Sequence, residues 1–254
     1  MKKVLALDFD GVICDSIDEC FLTSYHAYNQ KSKIENFEID QFQKSIVKNF
    51  KRNRYLIGPA KDFYFLWKSI SYNLNSPGDI KNMYFDLKIS DNNGALEFAD
   101  RFYRIRDQLK YKHFHKWNLL NPFYEQIRNT LIKITDKENL FIVTAKDKKS
   151  VIDLLKQNKV NIKNSHIYGR EKSLDKREIF HQLTIDHDVD LREIVFVDDN
   201  ITNAIDVSNI GILSYFATWG YNTKSDKVKA LKNNIIPLSQ RDMHSIIFKI
   251  ISHP

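Results

Sequence analysis

The nine residues Lys3-Val4-Leu5-Ala6-Leu7-Asp8-Phe9-Asp10-Gly11 decide the fold. So short an apolar run, closed by two acids and a glycine, predicts a strand buried on both faces, as in a parallel sheet. Asp8 also ends the run well before the roughly 18 apolar residues of a membrane span, and too early for a signal peptide. Two comparable runs lie far downstream. Leu140-Phe141-Ile142-Val143 leads into Thr144-Ala145, and Ile194-Val195-Phe196-Val197 leads into Asp198-Asp199-Asn200.

Helical patterns fill the gaps. Asn121-Pro122 reads as an N-cap with proline at the first helical position, opening a helix to about residue 135. Further helices are expected near 147–158, from Asp175 to Leu183, near 201–209 and around 241–251. Short strands are expected near 165–168 and 212–217. Strands alternating with helices imply right-handed crossovers, so the fold class is α/β, a doubly wound parallel sheet. Residues 18–117 break the rhythm, since they hold no convincing strand but aromatic-rich helical segments such as Phe63, Leu66, Trp67 and Ile70. A helical domain (18–117) is therefore inserted after the first strand of a core built from 1–17 and 118–254. The Trp67 and Phe63-Tyr64-Phe65 aromatics are expected to form that domain's own core.

Composition narrows the class. Of 254 residues, 43% are hydrophobic and 28% charged, which excludes wholesale disorder, and 7 Gly with 5 Pro exclude a collagen-like chain. The two cysteines, Cys14 and Cys20, cannot make a disulfide framework and fit a reducing, cytoplasmic compartment. The net charge of +7 is uneven. Residues 18–117 carry 17 Lys and Arg against 12 Asp and Glu, so +5 sits in the insertion. Solvated basic helix faces account for this most simply; a mouth attracting anionic substrate, tested first at Arg52, Arg54, Arg101 and Arg104, is the alternative. His113-Phe114-His115 lacks partners at metal-ligand spacing and reads as surface. Asn200-Ile201-Thr202 matches a glycosylation acceptor but falls in the expected site loop of a cytoplasmic protein.

In open parallel sheets function gathers at the carboxyl ends of the strands. Three strands here end in Asp8 and Asp10, in Thr144, and in Asp198 and Asp199. Several carboxylates at one rim repel each other unless a cation neutralises them, which points to a hard divalent metal held by oxygen ligands.

With these motifs in order, the chain resembles the haloacid dehalogenase superfamily, and within it phosphoglycolate-phosphatase-like phosphatases with a helical cap. Leu5-Ala6-Leu7-Asp8-Phe9-Asp10-Gly11-Val12-Ile13 is similar to the family's first motif, and Cys14-Asp15-Ser16 to its continuation in capped members. Phe141-Ile142-Val143-Thr144 resembles the second motif and Lys176 the third. Phe196-Val197-Asp198-Asp199-Asn200 resembles the fourth, and Thr218-Trp219-Gly220-Tyr221 a segment of phosphoglycolate-phosphatase-like members. Lys176 is preferred to Lys172 because Ile179, Phe180 and Leu183 place it at the start of a core-facing helix.

The resemblance implies a Rossmann-like core and a magnesium-dependent phosphatase acting on a small phosphorylated substrate. Neither nucleic acid nor membrane is expected as a partner. Asp8 is the implied nucleophile and Asp10 the implied acid–base. Thr144, Ala145 and Lys176 are the implied phosphate ligands, and Asp8, Asp10 and Asp199 hold Mg2+. Two positions depart from the pattern. Asp198-Asp199 stands where many members have Gly-Asp, with Asp199 favoured as metal ligand, and Asn203 stands where an Asp is common. A phosphomutase of the same superfamily and a non-catalytic basic binding protein on this scaffold are the alternatives. Dehalogenation has no use for Asp10 or the metal acids.

Overall fold

In the computed structural model, which describes residues 3–31, 34, 37–74, 76–134 and 138–251, the opening run forms β1 (Val4–Leu7). Six helices follow: α1 (Ile17–Tyr28), α2 (Lys44–Asn53), α3 (Asp62–Ser71), α4 (Pro77–Ser90), α5 (Asn92–Lys112) and α6 (Phe114–Leu119). The chain then runs α7 (Glu125–Lys133), β2 (Leu140–Val143), α8 (Lys148–Gln157), β3 (Ile167–Tyr168), α9 (Lys176–His187), β4 (Ile194–Asp198) and α10 (Ile201–Ser208). It ends with β5 (Leu213–Ala217), α11 (Lys224–Lys232), β6 (Ile236–Leu238) and α12 (Gln240–Ile251). Among the described residues no helix is long and apolar enough to cross a membrane.

The six strands form one sheet in the order β3-β2-β1-β4-β5-β6, and every pairing is parallel. Leu5 lies between Leu140 of β2 and Val195 of β4, so β1 is central and fully buried, as its apolar run requires. Strand order reverses between β1 and β4. That switch point is where an open α/β sheet leaves a crevice at its carboxyl edge.

The chain forms two compact units, one made of Met1–Asp15 with Pro122–Pro254, the other of Ser16–Asn121. In the first, side chains of β1, β2 and β4 pack with Ile179, Phe180 and Leu183 of α9. Its helix starts are set by local hydrogen bonds. Asp147 accepts from Ser150 N, Asp175 from Arg177 N, and Asn200 from Thr202 N, relieving backbone donors that a helix leaves unpaired.

The second unit is helical and held by rings. Phe50 stacks on Trp67 at 5.1 Å, Phe63 on Phe102 at 5.5 Å, and Trp67 Nε1 donates to Ser24 Oγ at 2.8 Å. Inside this core lies a bidentate ion pair. Arg106 donates to Glu19 Oε1 at 2.8 Å and to Oε2 at 2.7 Å, with both side chains buried. Removing either partner would strand a buried charge, at a cost of about 3–5 kcal/mol.

Two expectations from the sequence need correction. The helix expected from Asn121-Pro122 starts instead at Glu125. Asn121 is buried, and its Nδ2 donates back to Trp117 O, so it closes the preceding helix rather than opening the next. Phe123 meanwhile bridges to Cys14. The expected end of that helix, residue 135, lies outside the described residues. The second correction is an addition, since α11 and β6 extend the sheet beyond β5.

Candidate active site

Asp8 follows β1, and its backbone N donates to Val197 O at 2.9 Å, so the ends of β1 and β4 are level. Oxygens of Asp8, Asp198 and Asp199 come within 4.8 Å of one another, and all three residues are buried. Lys176, the first residue of α9, projects its ammonium among them. Its Nζ lies 2.7 Å from Asp198 Oδ2 and 3.1 Å from Asp8 Oδ1. The contact with Asp8 is one of charge, since Oδ1 receives no aligned hydrogen bond.

Burial raises the Asp8 carboxyl strongly. Lys176 opposes the shift, Asp198 and Asp10 add to it, and the result is a pKa of about 7. Burial works against the charge of Lys176 as well, but Asp198 and Asp8 outweigh it and leave the ammonium above its usual range. The sign pattern is informative. The acids Asp8, Asp198 and Asp199 outnumber the Lys176 ammonium set against two of them, so negative charge is in excess.

The adjacent acids Asp198 and Asp199 are engaged differently. Asp198 accepts from Lys176 Nζ, from Asn203 Nδ2 at 3.0 Å and from Asn200 N at 2.8 Å. Asp199 accepts from the backbone N of Tyr221. It is also enclosed by two glycines. At Gly11, with φ +88°, and at Gly220, an added Cβ would collide with Asp199 atoms. Only glycine permits both the left-handed turn after β1 and the approach of the 218–221 segment.

That segment ties the loops together. Trp219 Nε1 donates to Val12 O at 3.1 Å, and Tyr221 Oη donates to Asp15 Oδ1 at 2.8 Å.

Thr144, at the end of β2, is buried, and its N donates to Tyr168 O. Its Oγ1 accepts from Lys146 N at 3.2 Å, and Ala145 lies between them in the turn to α8. Asp10 faces Lys146, whose Nζ is 3.1 Å from Oδ1 and 3.5 Å from Oδ2.

The residues singled out from the sequence thus lie on the loops after β1, β2 and β4 and at the start of α9. Lys172 is exposed whereas Lys176 is buried. His113 packs edge-on against Phe37 instead of joining a ligand set. Of the basic candidates, Arg54 is buried and donates to Ile57 O, and Arg101 donates to Ala27 O. Arg52 and Arg104 are exposed. Sequence reasoning does not single out Lys146 or the steric role of Gly220. The only signal for Lys146 is its place two residues beyond a strand-ending threonine.

The sequence model of the haloacid dehalogenase-like hydrolase family matches residues 80–217, more than half of the chain. The chain belongs to this family. The matched range includes Thr144, Lys176, Asp198 and Asp199, while the Asp8-Phe9-Asp10-Gly11 loop precedes it. No curated protein matches the chain.

Solved haloacid dehalogenase folds resemble it along their whole length. A predicted phosphoglycolate phosphatase from Haemophilus somnus is 17% identical, with 96% of this chain and 97% of that one covered and a TM-score of 0.62. A predicted phosphatase from Clostridium acetobutylicum is 18% identical, with coverage of 98% and 100% and a TM-score of 0.60. A haloacid dehalogenase-like family protein from Streptococcus pneumoniae is 16% identical, covers 98% of both chains and has a TM-score of 0.59. Likeness at these identities is one of fold.

Proposed function

We propose that the protein is a magnesium-dependent phosphatase that hydrolyses a small phosphorylated metabolite through an aspartyl-phosphate on Asp8. One observation carries this reading: three buried acids converge around the Lys176 ammonium at the switch point of the sheet. A phosphate ester adds two more negative charges to such a site. The residues therefore fit a hard cation, with oxygen donors only, negative charge in excess, and a glycine cradle around Asp199. The Asp8 and Asp199 carboxylates and the Asp10 carbonyl would hold the ion. When bound, magnesium would offset the repulsion between nucleophile and phosphate.

The chain's own groups would do the rest. Asp8 attacks phosphorus, and Asp10 gives a proton to the departing oxygen. Asp10 then takes a proton from the water that hydrolyses the aspartyl-phosphate. Lys176, the Thr144 hydroxyl and the backbone N–H groups near Ala145 bind the phosphoryl oxygens as negative charge shifts onto them. Asp198, already engaged by Lys176, Asn203 and Asn200, acts by orienting the lysine. The helical unit would serve as a cap that excludes water and selects substrate. The two relatives named as phosphatases are consistent with this chemistry.

The test is turnover of p-nitrophenyl phosphate, followed by a panel of sugar phosphates, phosphoglycolate and nucleotides, with magnesium present. Asp8→Asn should lower kcat by at least about 1,000-fold while the protein still folds, because it removes the nucleophile. Full turnover by a folded Asp8→Asn protein would refute the assignment. Dialysis against a chelator should abolish activity of the wild type and magnesium should restore it. Calcium, which prefers more and longer ligand bonds, should restore little. Undiminished activity in excess chelator would exclude the metal.

A further inference from the structure

We infer that Lys146 is a positioning residue that fixes the carboxylate of Asp10 for proton transfer. The inference rests on the reading of Asp10 as the acid–base group. The side chain of Lys146 is wholly inaccessible to solvent, and its ammonium lies 3.1 Å from Asp10 Oδ1 and 3.5 Å from Oδ2. An ammonium buried that deeply is costly without an opposite charge beside it. The pair therefore constrains Asp10 only as firmly as the lysine itself is held.

Lys146 is held on both sides of its backbone. Its N donates to Thr144 Oγ1 at 3.2 Å, and its O accepts from Arg170 N at 3.2 Å. Gly169 permits that second contact, because a Cβ there would come within 2.9 Å of Lys146 O and 2.7 Å of Lys148 N. Asp10, by contrast, sits in the tight turn that Ile13 N and Cys14 N close on Phe9 O, with its side chain 17% exposed. The fixed partner orients the accessible one. One lysine thereby links the β2 loop, which presents Thr144 to phosphate, with the acid–base residue of the β1 loop.

In the first step the P–O bond to the leaving group breaks as the Asp10 carboxyl gives its proton to that oxygen. In the second, the Asp10 carboxylate takes a proton from the attacking water, and the bond between phosphorus and Asp8 breaks. Lys146 keeps its protons throughout, and the carboxylate that forms as Asp10 gives up its proton becomes its counter-charge, 3.1 Å away. Its contribution is orientation, and it follows that its loss should be felt most where proton donation matters most. A nitrophenolate departs without a proton, whereas an alkoxide needs one.

The experiment compares Lys146→Met with the wild type and with Asp10→Asn on two substrates. These are p-nitrophenyl phosphate and the best alkyl phosphate from a set of sugar phosphates and phosphoglycolate, all with magnesium. Lys146→Met should lose at least about 30-fold in kcat/KM on the alkyl phosphate and less than about 5-fold on p-nitrophenyl phosphate, within the range of general acid catalysis. The ratio kcat/KM reads phosphoryl transfer to Asp8, whereas kcat also contains the second step, which uses Asp10 and is common to both substrates. Asp10→Asn should show the same selectivity more strongly. The double variant should be no slower than Asp10→Asn alone, since a residue acting through Asp10 has nothing left to position. Lys146→Arg should recover part of the alkyl-phosphate activity and serves as the test variant should methionine prevent folding.

Equal losses in kcat/KM on both substrates, no loss on either, or additive losses of kcat/KM in the double variant would overturn the role of Lys146 while leaving Asp10 as acid–base. An Asp10→Asn protein without leaving-group selectivity would overturn both.

Discussion

Asp198 and Asp199 show how far one-residue differences reach in this site. Successive side chains at a strand end point to opposite sides, so one acid turns to Lys176 while the other enters the cradle of Gly11 and Gly220. The identity of these acids is legible in the sequence because carboxylates closing an apolar run have few structural uses. The cradle is not, because a glycine records nothing about what approaches it. It also yields a sharp prediction. In Gly220→Ala the new methyl would meet Asp199 Cβ and Gly11 O, and either the carboxylate or the 218–221 segment must shift. Overpacking of this kind costs about 1–3 kcal/mol of stability. A displaced carboxylate should also raise the magnesium concentration for half-maximal activity roughly tenfold, through a loss of about 1.4 kcal/mol in binding. A magnesium titration of turnover, with a thermal melt alongside, would check both. Unchanged magnesium demand would mean either that the cradle yields without moving Asp199 or that Asp199 does not hold the metal.

Among the elements, those that carry their own physical signature were readable. β1, β2 and β4 are unbroken apolar runs because both faces are covered, and α9 announces itself through Ile179, Phe180 and Leu183 behind Lys176. The failures have equally local causes. Asn121-Pro122 has the composition of a helix start, yet the Asn121 amide is already used by Trp117 O and Phe123 bridges to Cys14. Tertiary pairing there overrides a cap preference. β6 spans three residues with Pro237 in the middle, which argues against a strand in sequence. It is tolerable here because β6 lies at the sheet edge, where a missing backbone donor need not be satisfied by a neighbour. The start of α11 was legible in principle, since Thr223 and Asp226 make a reciprocal capping box. Lys146 escaped because its role depends on Asp10, 136 residues away in sequence.

At the scale of the molecule, the charge distribution poses the remaining question. The insertion carries +5 of the net +7, but part of that charge is structural. Arg54 lies buried over the Phe63 ring, and Arg101 is bonded to Ala27 O. Arg52 and Arg104 remain exposed. Exposed charges act through a field that salt screens over about 8–10 Å at ordinary ionic strength. Their effect on a phosphate dianion should therefore be modest and confined to encounter. An Arg52→Gln/Arg104→Gln variant should lower kcat/KM by no more than about 3-fold at low salt, leave kcat unchanged, and match the wild type at about 0.5 M salt. Steady-state kinetics of the best screened substrate at low and high salt would check this. A loss that persists at high salt, carried by KM, would instead place one of these arginines in direct contact with substrate, because a charge-assisted bond at short range is little screened.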